Sequence, residues 1–237
     1  MKSPFFLLAA LAFATVTRAA DPAPVVAPEF FHAAGFDWRA LVTAPPAEDS
    51  IAAQGEYELA RALDAARTPE QVALAKHYEK FDECSLLAPV LGDWCTAQNL
   101  PRTHAIFQQV HRETRPTIEA AKAAYNRPRP YVHNPALQPA VDRPATTSYP
   151  SGHAYSASCI AAVLAAVFPE HAADWEKQAA LVRWSRLVGG AHYPSDVIAG
   201  KVLGEAVARV LLKSPKLQQA IAEIRAECAP YLHKKAA

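Results

Sequence analysis

The chain has almost no excess of charge of either sign, with 24 lysines and arginines against 23 aspartates and glutamates in 237 residues. A broadly basic face of the kind that grips nucleic acid is therefore excluded, and any positive cluster has to be local. Strand signals are nearly absent, which sets sheet-based folds aside. The four cysteines include no CxxC spacing of the kind that holds structural zinc. There are no internal repeats and no low-complexity tracts beyond richness in alanine, which favours helix. After residue 20 no apolar run is long enough to span a bilayer. The stretch from Ala154 to Phe168 is too short and carries Tyr155, Ser156 and Ser158.

What is present is enough apolar material, 51% of residues, for one well-filled core and one domain. The first 19 residues read as an export signal. Lys2 supplies the positive end, Phe5 to Phe13 the apolar run, and Thr17-Arg18-Ala19 a small-x-small cleavage site, so that the mature chain begins at Ala20 or Asp21. An uncleaved anchor fits less well, because the run is shorter than the roughly 20 residues of a span. Residues 20–49 read as an extended N-terminal arm, with Pro22, Pro24 and Pro28 near its start, and residues 50–237 as a helical domain. Four cysteines in an exported chain suggest disulfides. Four sulfurs allow three pairings that sequence cannot separate, and the expectation adopted is Cys84 with Cys95 and Cys159 with Cys228.

From Ser50 onward apolar residues recur at helical spacing. Helices are expected over Ser50 to Ala66, Pro69 to Phe81, Arg102 to Tyr125, Gly152 to Phe168, Ala172 to Leu187, Ser195 to Leu212 and Lys213 to Cys228. Ser50 and Thr68 suit N-caps, the latter with Pro69 at the first helical position. Between Arg127 and Pro150, six prolines forbid any long helix and demand a looping path, and ordered loops of this length usually serve function. The fold class is all-α, a single-domain helical bundle.

Three segments carry chemistry. Lys122 lies near a helix end and Arg129 seven residues on, so that two cations can converge on one anion, although such residues also serve helix dipoles. Arg127-Pro128 duplicates the Arg129-Pro130 pair two residues early. Ser148-Tyr-Pro-Ser151-Gly152-His153 opens an apolar helix whose first amides and dipole suit a phosphate oxygen; an ordinary capping turn is the plain alternative. Arg186, His192 and Asp196 form the third. Asp196 can take a hydrogen bond from one ring nitrogen of His192 and leave the other free to attack. His32, His77, His104, His111, His133, His171 and His233 have no comparable context.

Together, in this order and spacing, the segments resemble the tripartite signature of the type 2 phosphatidic acid phosphatase (PAP2) and vanadium haloperoxidase superfamily. Within it the chain is most similar to the bacterial class A non-specific acid phosphatases, over roughly residues 50 to 230. It departs from their pattern at Thr147, where glycine is usual, and at Ala154, where threonine is usual. The resemblance implies a PAP2/haloperoxidase-type bundle and a periplasmic or secreted acid phosphatase that hydrolyses phosphate monoesters through a phosphohistidine. It implies His192 as nucleophile, His153 as general acid and Asp196 as the orienting carboxylate. Lys122, Arg129 and Arg186, with Ser151 and the Gly152 amide, would hold the phosphoryl oxygens. No metal or other cofactor is implied, since three protein cations stand where metal pairs serve other phosphatases.

The expected partners are small-molecule phosphomonoesters, with no nucleic acid scaffold and no membrane span after processing; a homo-oligomer is compatible with the sequence. His153 has to be protonated while His192 is neutral, which implies an acidic optimum. The competing readings are a vanadium-dependent haloperoxidase, a lipid phosphatase and, in another class, a non-catalytic oxyanion-binding protein.

Overall fold

The computed structural model describes residues 29–232; the expected export signal and His233 lie outside them. Among the described residues nine α-helices run in the order α1 (Ile51–Ala66), α2 (Pro69–His77), α3 (Glu83–Leu91), α4 (Pro101–Tyr125), α5 (Pro130–His133), α6 (Gly152–Val167), α7 (Ala172–Val188), α8 (Pro194–Leu211) and α9 (Pro215–Leu232), with no strand. The all-α bundle expected from the apolar spacing is what forms, and none of these helices is long and apolar enough to cross a membrane.

Local chemistry explains most boundaries. The Ser50 hydroxyl caps α1 by accepting from Ala53 N at 3.1 Å. Thr68 and Gln71 form a reciprocal capping box with Pro69 in the first turn of α2. Two helices escape the periodicity. The stretch expected as one helix to Phe81 breaks at His77, and α3 starts afresh because Asp82 and Ser85 cap it reciprocally. Its nine residues, interrupted by Pro89, are too few to show a period. Short α5 forms inside the proline loop, with Pro130 at its first position.

The centre is α6, whose buried residues include Tyr155, Ala157, Cys159, Val163, Leu164 and Val167, so it is covered on nearly every side. Helix α8 lies against it at very short range. A Cβ at Gly200 would come within 2.4 Å of Ser151 O, and one at Gly204 within 2.2 Å of Tyr155 O. Only glycine at these two positions, one turn apart, lets the backbones meet. Residues 29–49 bury Phe31, Trp38 and Val42 in the core and pass along α4. Glu113 of α4 accepts from the backbone N–H groups of Glu29, Phe30 and Phe31 at 2.8 to 2.9 Å. The phenols of Tyr125 and Tyr149 donate to the carbonyls of Val42 and Thr43, each at 2.6 Å.

The expected disulfides do not form; none joins Cys84, Cys95, Cys159 and Cys228. Cys84 lies near enough to Cys95 for their charges to interact. Cys84 Sγ faces Glu83 Oε1 at 3.6 Å. Cys159 lies beside Tyr155 on α6, and Cys228 beside Thr103 of α4. Burial pushes the Cys159 and Cys228 thiols up to about 12 and about 11, so both stay protonated and inert.

The α6–α8 contact makes a quantitative expectation. Gly204→Ala places a methyl on the Tyr155 carbonyl, and the forced separation of two packed helices should cost about 1–3 kcal/mol or more. Urea denaturation followed by circular dichroism reads this directly. An unchanged midpoint would mean that the two helices can part without loss.

Candidate active site

The close contact fixes where the second and third motif segments meet, because it brings the N-terminal ends of α6 and α8 together. Ser151 N donates to Asp196 O at 2.9 Å, a bond between the two motif segments themselves. The N–H of Ser151 is therefore not open to a ligand, unlike the first amides of α6 expected to suit a phosphate oxygen. Its side chain is fully buried and caps α6 through Ala154 N at 3.4 Å. Gly152 and His153 follow as the first helical residues, whose N–H groups have no acceptor within the helix. A Cβ at Gly152 would meet only Lys122 Cε, at 3.9 Å, so space is open beside this amide.

A cavity of about 310 Å³ is lined by Lys122, Arg129, Gly152, His153, Arg186 and His192. Six of the eight residues named from sequence thus share one chamber, while Ser151 and Asp196 stand behind its wall. Lys122, in the last turn of α4, donates through Nζ to Thr147 O at 2.6 Å and lies 3.3 Å from Ser148 O. Arg129 is held by Thr146 O at 2.7 Å, Thr146 Oγ1 at 3.0 Å and Ala191 O at 2.9 Å. Arg186, near the end of α7, donates to Ser185 Oγ at 3.0 Å and Ala75 O at 2.8 Å. Each cation is aimed by neutral acceptors, so none of the three is tied up in an ion pair among the described residues.

His192 is 4% exposed. Its Nδ1 faces Asp196 Oδ2 at 3.3 Å, and its Nε2 faces Arg129 at 3.2 Å. Because a guanidinium only donates, Nε2 carries the lone pair and Nδ1 the proton, which it gives to Asp196. Asp196 is fully buried. Its Oδ2 also accepts from Ser148 Oγ at 2.5 Å and Tyr193 N at 2.9 Å, and its Oδ1 accepts from Arg127 at 2.7 Å. Burial opposes ionisation of this carboxyl, but the His192 bond and charge and the Arg127 charge outweigh it and hold its pKa below the ordinary value. His153 Nε2 donates to Glu79 O at 3.1 Å, and the ring of Phe81 leans on it with centroids 5.4 Å apart.

The cations repel one another through a dry wall. Burial first, then Arg129, pulls Lys122 down to about 7, despite an opposing pull from Asp196. Burial lowers Arg186 to about 10. Burial and the charge of Arg186 bring His153 to about 4, and burial brings His192 to about 3 against the upward pull of Asp196. Such a set is stabilised by any tetrahedral dianion that enters. Three participants carry no role in the sequence reading: Thr146 and Ser148, which aim Arg129 and Asp196, and the Glu79 carbonyl. Only Ser148 had a visible signal, its place in the second motif. Arg127 does not line the cavity and lies behind Asp196.

Residues 114–219 match the model of the PAP2 superfamily, and this arrangement of lysine, arginines and histidines lies within that stretch. Among characterised proteins the chain is similar to the non-specific acid phosphatase of Salmonella typhi, 30% identical over 147 residues covering 60% of this chain and 59% of that one. It is likewise similar to the acid phosphatase of Zymomonas mobilis, 33% identical over 135 residues, 49% and 48% of the two chains. The chain thus matches about half to three fifths of the length of these relatives. Its fold is shared with the transmembrane PAP2 type phosphatidylglycerolphosphate phosphatase of Bacillus subtilis, with a TM-score of 0.53 and 20% identity over 70% of this chain and 87% of that one.

Anion affinity should follow Lys122. Sulfate stays a dianion from pH 5 to 9, so any pH dependence in its binding comes from the protein. Above about 7 the free lysine has lost its proton and has to recover it on binding. Calorimetric sulfate affinity should then be flat below that pH and weaken above it by up to about tenfold per pH unit. Lys122→Met should bind sulfate weakly and without this break. A break that persists in the variant would assign it to another group.

Proposed function

We propose that the protein is a phosphoric monoester hydrolase, a metal-independent acid phosphatase that works through a phosphohistidine on His192. The observation that carries this reading is the convergence of Lys122, Arg129 and Arg186 with two differently held imidazoles on one cavity. Phosphoryl transfer spreads negative charge over three equatorial oxygens, and fixed cations that need no reorganisation stabilise that charge best. The acid phosphatase relatives support the same reaction class.

In the first step the Nε2 lone pair of His192 attacks phosphorus in line and the bond to the leaving oxygen breaks. That oxygen takes a proton from Nδ1 of His153, whose Nε2 stays bonded to the Glu79 carbonyl. Asp196 holds the Nδ1 proton of His192 and stabilises the cationic phosphohistidine. In the second step His153 accepts a proton from water, the water oxygen bonds to phosphorus, and the P–N bond breaks to release phosphate.

The protein alone holds His153 at about 4, so its catalytic proton arrives with the substrate, whose two negative charges offset those of Arg186, Arg129 and Lys122. His192, at about 3, is neutral over the working range. The sign follows: rate is sustained below the raised pKa of His153 and lost as pH climbs through it and through that of Lys122, which gives an acidic optimum. The leaving group would point into a groove of about 450 Å³ that begins at Lys122, Gly152 and His153 and continues between α4 and α6 past Phe107, Ile118 and Tyr155. Export to the periplasm or beyond belongs to the same reading and rests on Lys2 and the apolar run from Phe5 to Phe13.

Hydrolysis of p-nitrophenyl phosphate in EDTA across pH 4 to 9 tests the proposal. Activity should peak on the acid side, and His192→Ala should abolish it. His153→Ala should lose about 100-fold or more on an alkyl phosphate, whose alkoxide needs the proton, and far less on p-nitrophenyl phosphate. Equal losses on both substrates would remove the general-acid role, and full activity in His192→Ala would sink the phosphohistidine.

A further inference from the structure

Helix α1 precedes the segment matched by the family model, and it buries only two residues, Ala53 and Glu56. An amphipathic helix ordinarily buries an apolar stripe. Here a carboxylate, 9% exposed, takes that place. Its Oε2 accepts from Arg127 at 2.7 Å and from Ser195 Oγ at 3.0 Å, and its Oε1 accepts from Ser195 N at 2.6 Å. Arg127 uses its other terminal nitrogen on Asp196 Oδ1 at 2.7 Å and on Ser195 Oγ at 2.8 Å. The face of its guanidinium lies 4.2 Å from the centre of the Tyr193 ring. Arg127 is 7% exposed and does not line the catalytic cavity, so it has no path to substrate.

We propose that Glu56 and Arg127 are positioning residues for the nucleophile: α1 clamps Arg127, Arg127 fixes the plane of the Asp196 carboxylate, and that plane aims His192. The inference rests on the phosphohistidine reading and adds a working part from outside the matched segment. Asp196 has two oxygens with separate duties. Oδ2 serves His192, Ser148 and Tyr193 N, whereas Oδ1 has Arg127. A fork is needed because one cation has to reach Glu56 and Asp196 at once, which a lysine ammonium does less well. Glu56 also balances the arginine, so Asp196 keeps its negative pull on the His192 proton. A buried pair kept for stability alone is readily replaced by apolar residues. This pair instead ends on the carboxylate that holds the nucleophile.

The test uses Arg127→Lys and Glu56→Gln in the full-length protein, both milder than truncation to alanine. For each, kcat and KM are measured on p-nitrophenyl phosphate, and the Nδ1 proton of His192 is followed by nitrogen-edited NMR. Loss of an outer support typically costs about 10–100-fold in activity, so kcat should fall by that factor with KM within about threefold of wild type. The Nδ1–H resonance should move upfield or broaden as its bond to Asp196 loosens. A lower melting temperature with unchanged kcat per folded molecule and an unmoved resonance would reduce the pair to a structural tie and overturn the inference. So would a rise in KM at constant kcat, which would put Arg127 on the substrate. If wild type shows no His192-dependent hydrolysis, the phosphatase reading fails, while the resonance still decides whether the pair positions His192.

Discussion

Two glycines set how near α8 can come to α6, and the catalytic geometry depends on that distance. With backbone against backbone at Gly200 and Gly204, the N-terminal ends of both helices sit side by side, joined by the Ser151 N–H to Asp196 carbonyl bond. One end contributes Gly152 and His153 and the other Asp196, with His192 two residues before the helix, so the two histidines are registered by the packing of two helix starts. The N-terminal ends of two helices also direct unpaired N–H groups toward one region, which favours an anion there before any side chain is counted.

The cationic groups work against this compactness. Burial brings Lys122, Arg186 and His153 well below their ordinary values, and Arg129 adds repulsion to all three. The protein tolerates the strain because every cation is held by carbonyl and hydroxyl acceptors that leave its charge uncompensated. Had carboxylates done the holding, the site would be more stable and less able to attract a phosphoryl group. Among the described residues, the only carboxylate that faces His192 at hydrogen-bond range, Asp196, is shared with Arg127 and kept out of the cavity.

Much of this was legible in the sequence, and the reason differs by element. The long helices declare themselves by apolar spacing, and Ser50, Thr68 and Pro69 mark their starts. Helices α3 and α5 do not, since nine and four residues give too little period and prolines obscure them. The motif residues were readable because their chemistry and spacing are specific. Glu56 was not. It is one of two glutamates on an exposed-looking helix, and only the fold brings it to Arg127, 71 residues away. The cysteine pairing was not legible because it depends on sulfur-to-sulfur geometry: α6 and α9 pack against each other, yet no disulfide joins Cys159 and Cys228.

The tyrosine anchors give the segment before α1 a further meaning. Tyr125, one turn beyond Lys122, and Tyr149, within the second motif, grip the adjacent carbonyls of Val42 and Thr43. Two consecutive peptide units thus bridge the C-terminal end of α4 and the approach to α6. Residues 44 to 49 beyond them are mostly exposed. At Val42 and Thr43 the backbone is therefore a crosspiece whose shift would be felt at both motif segments together.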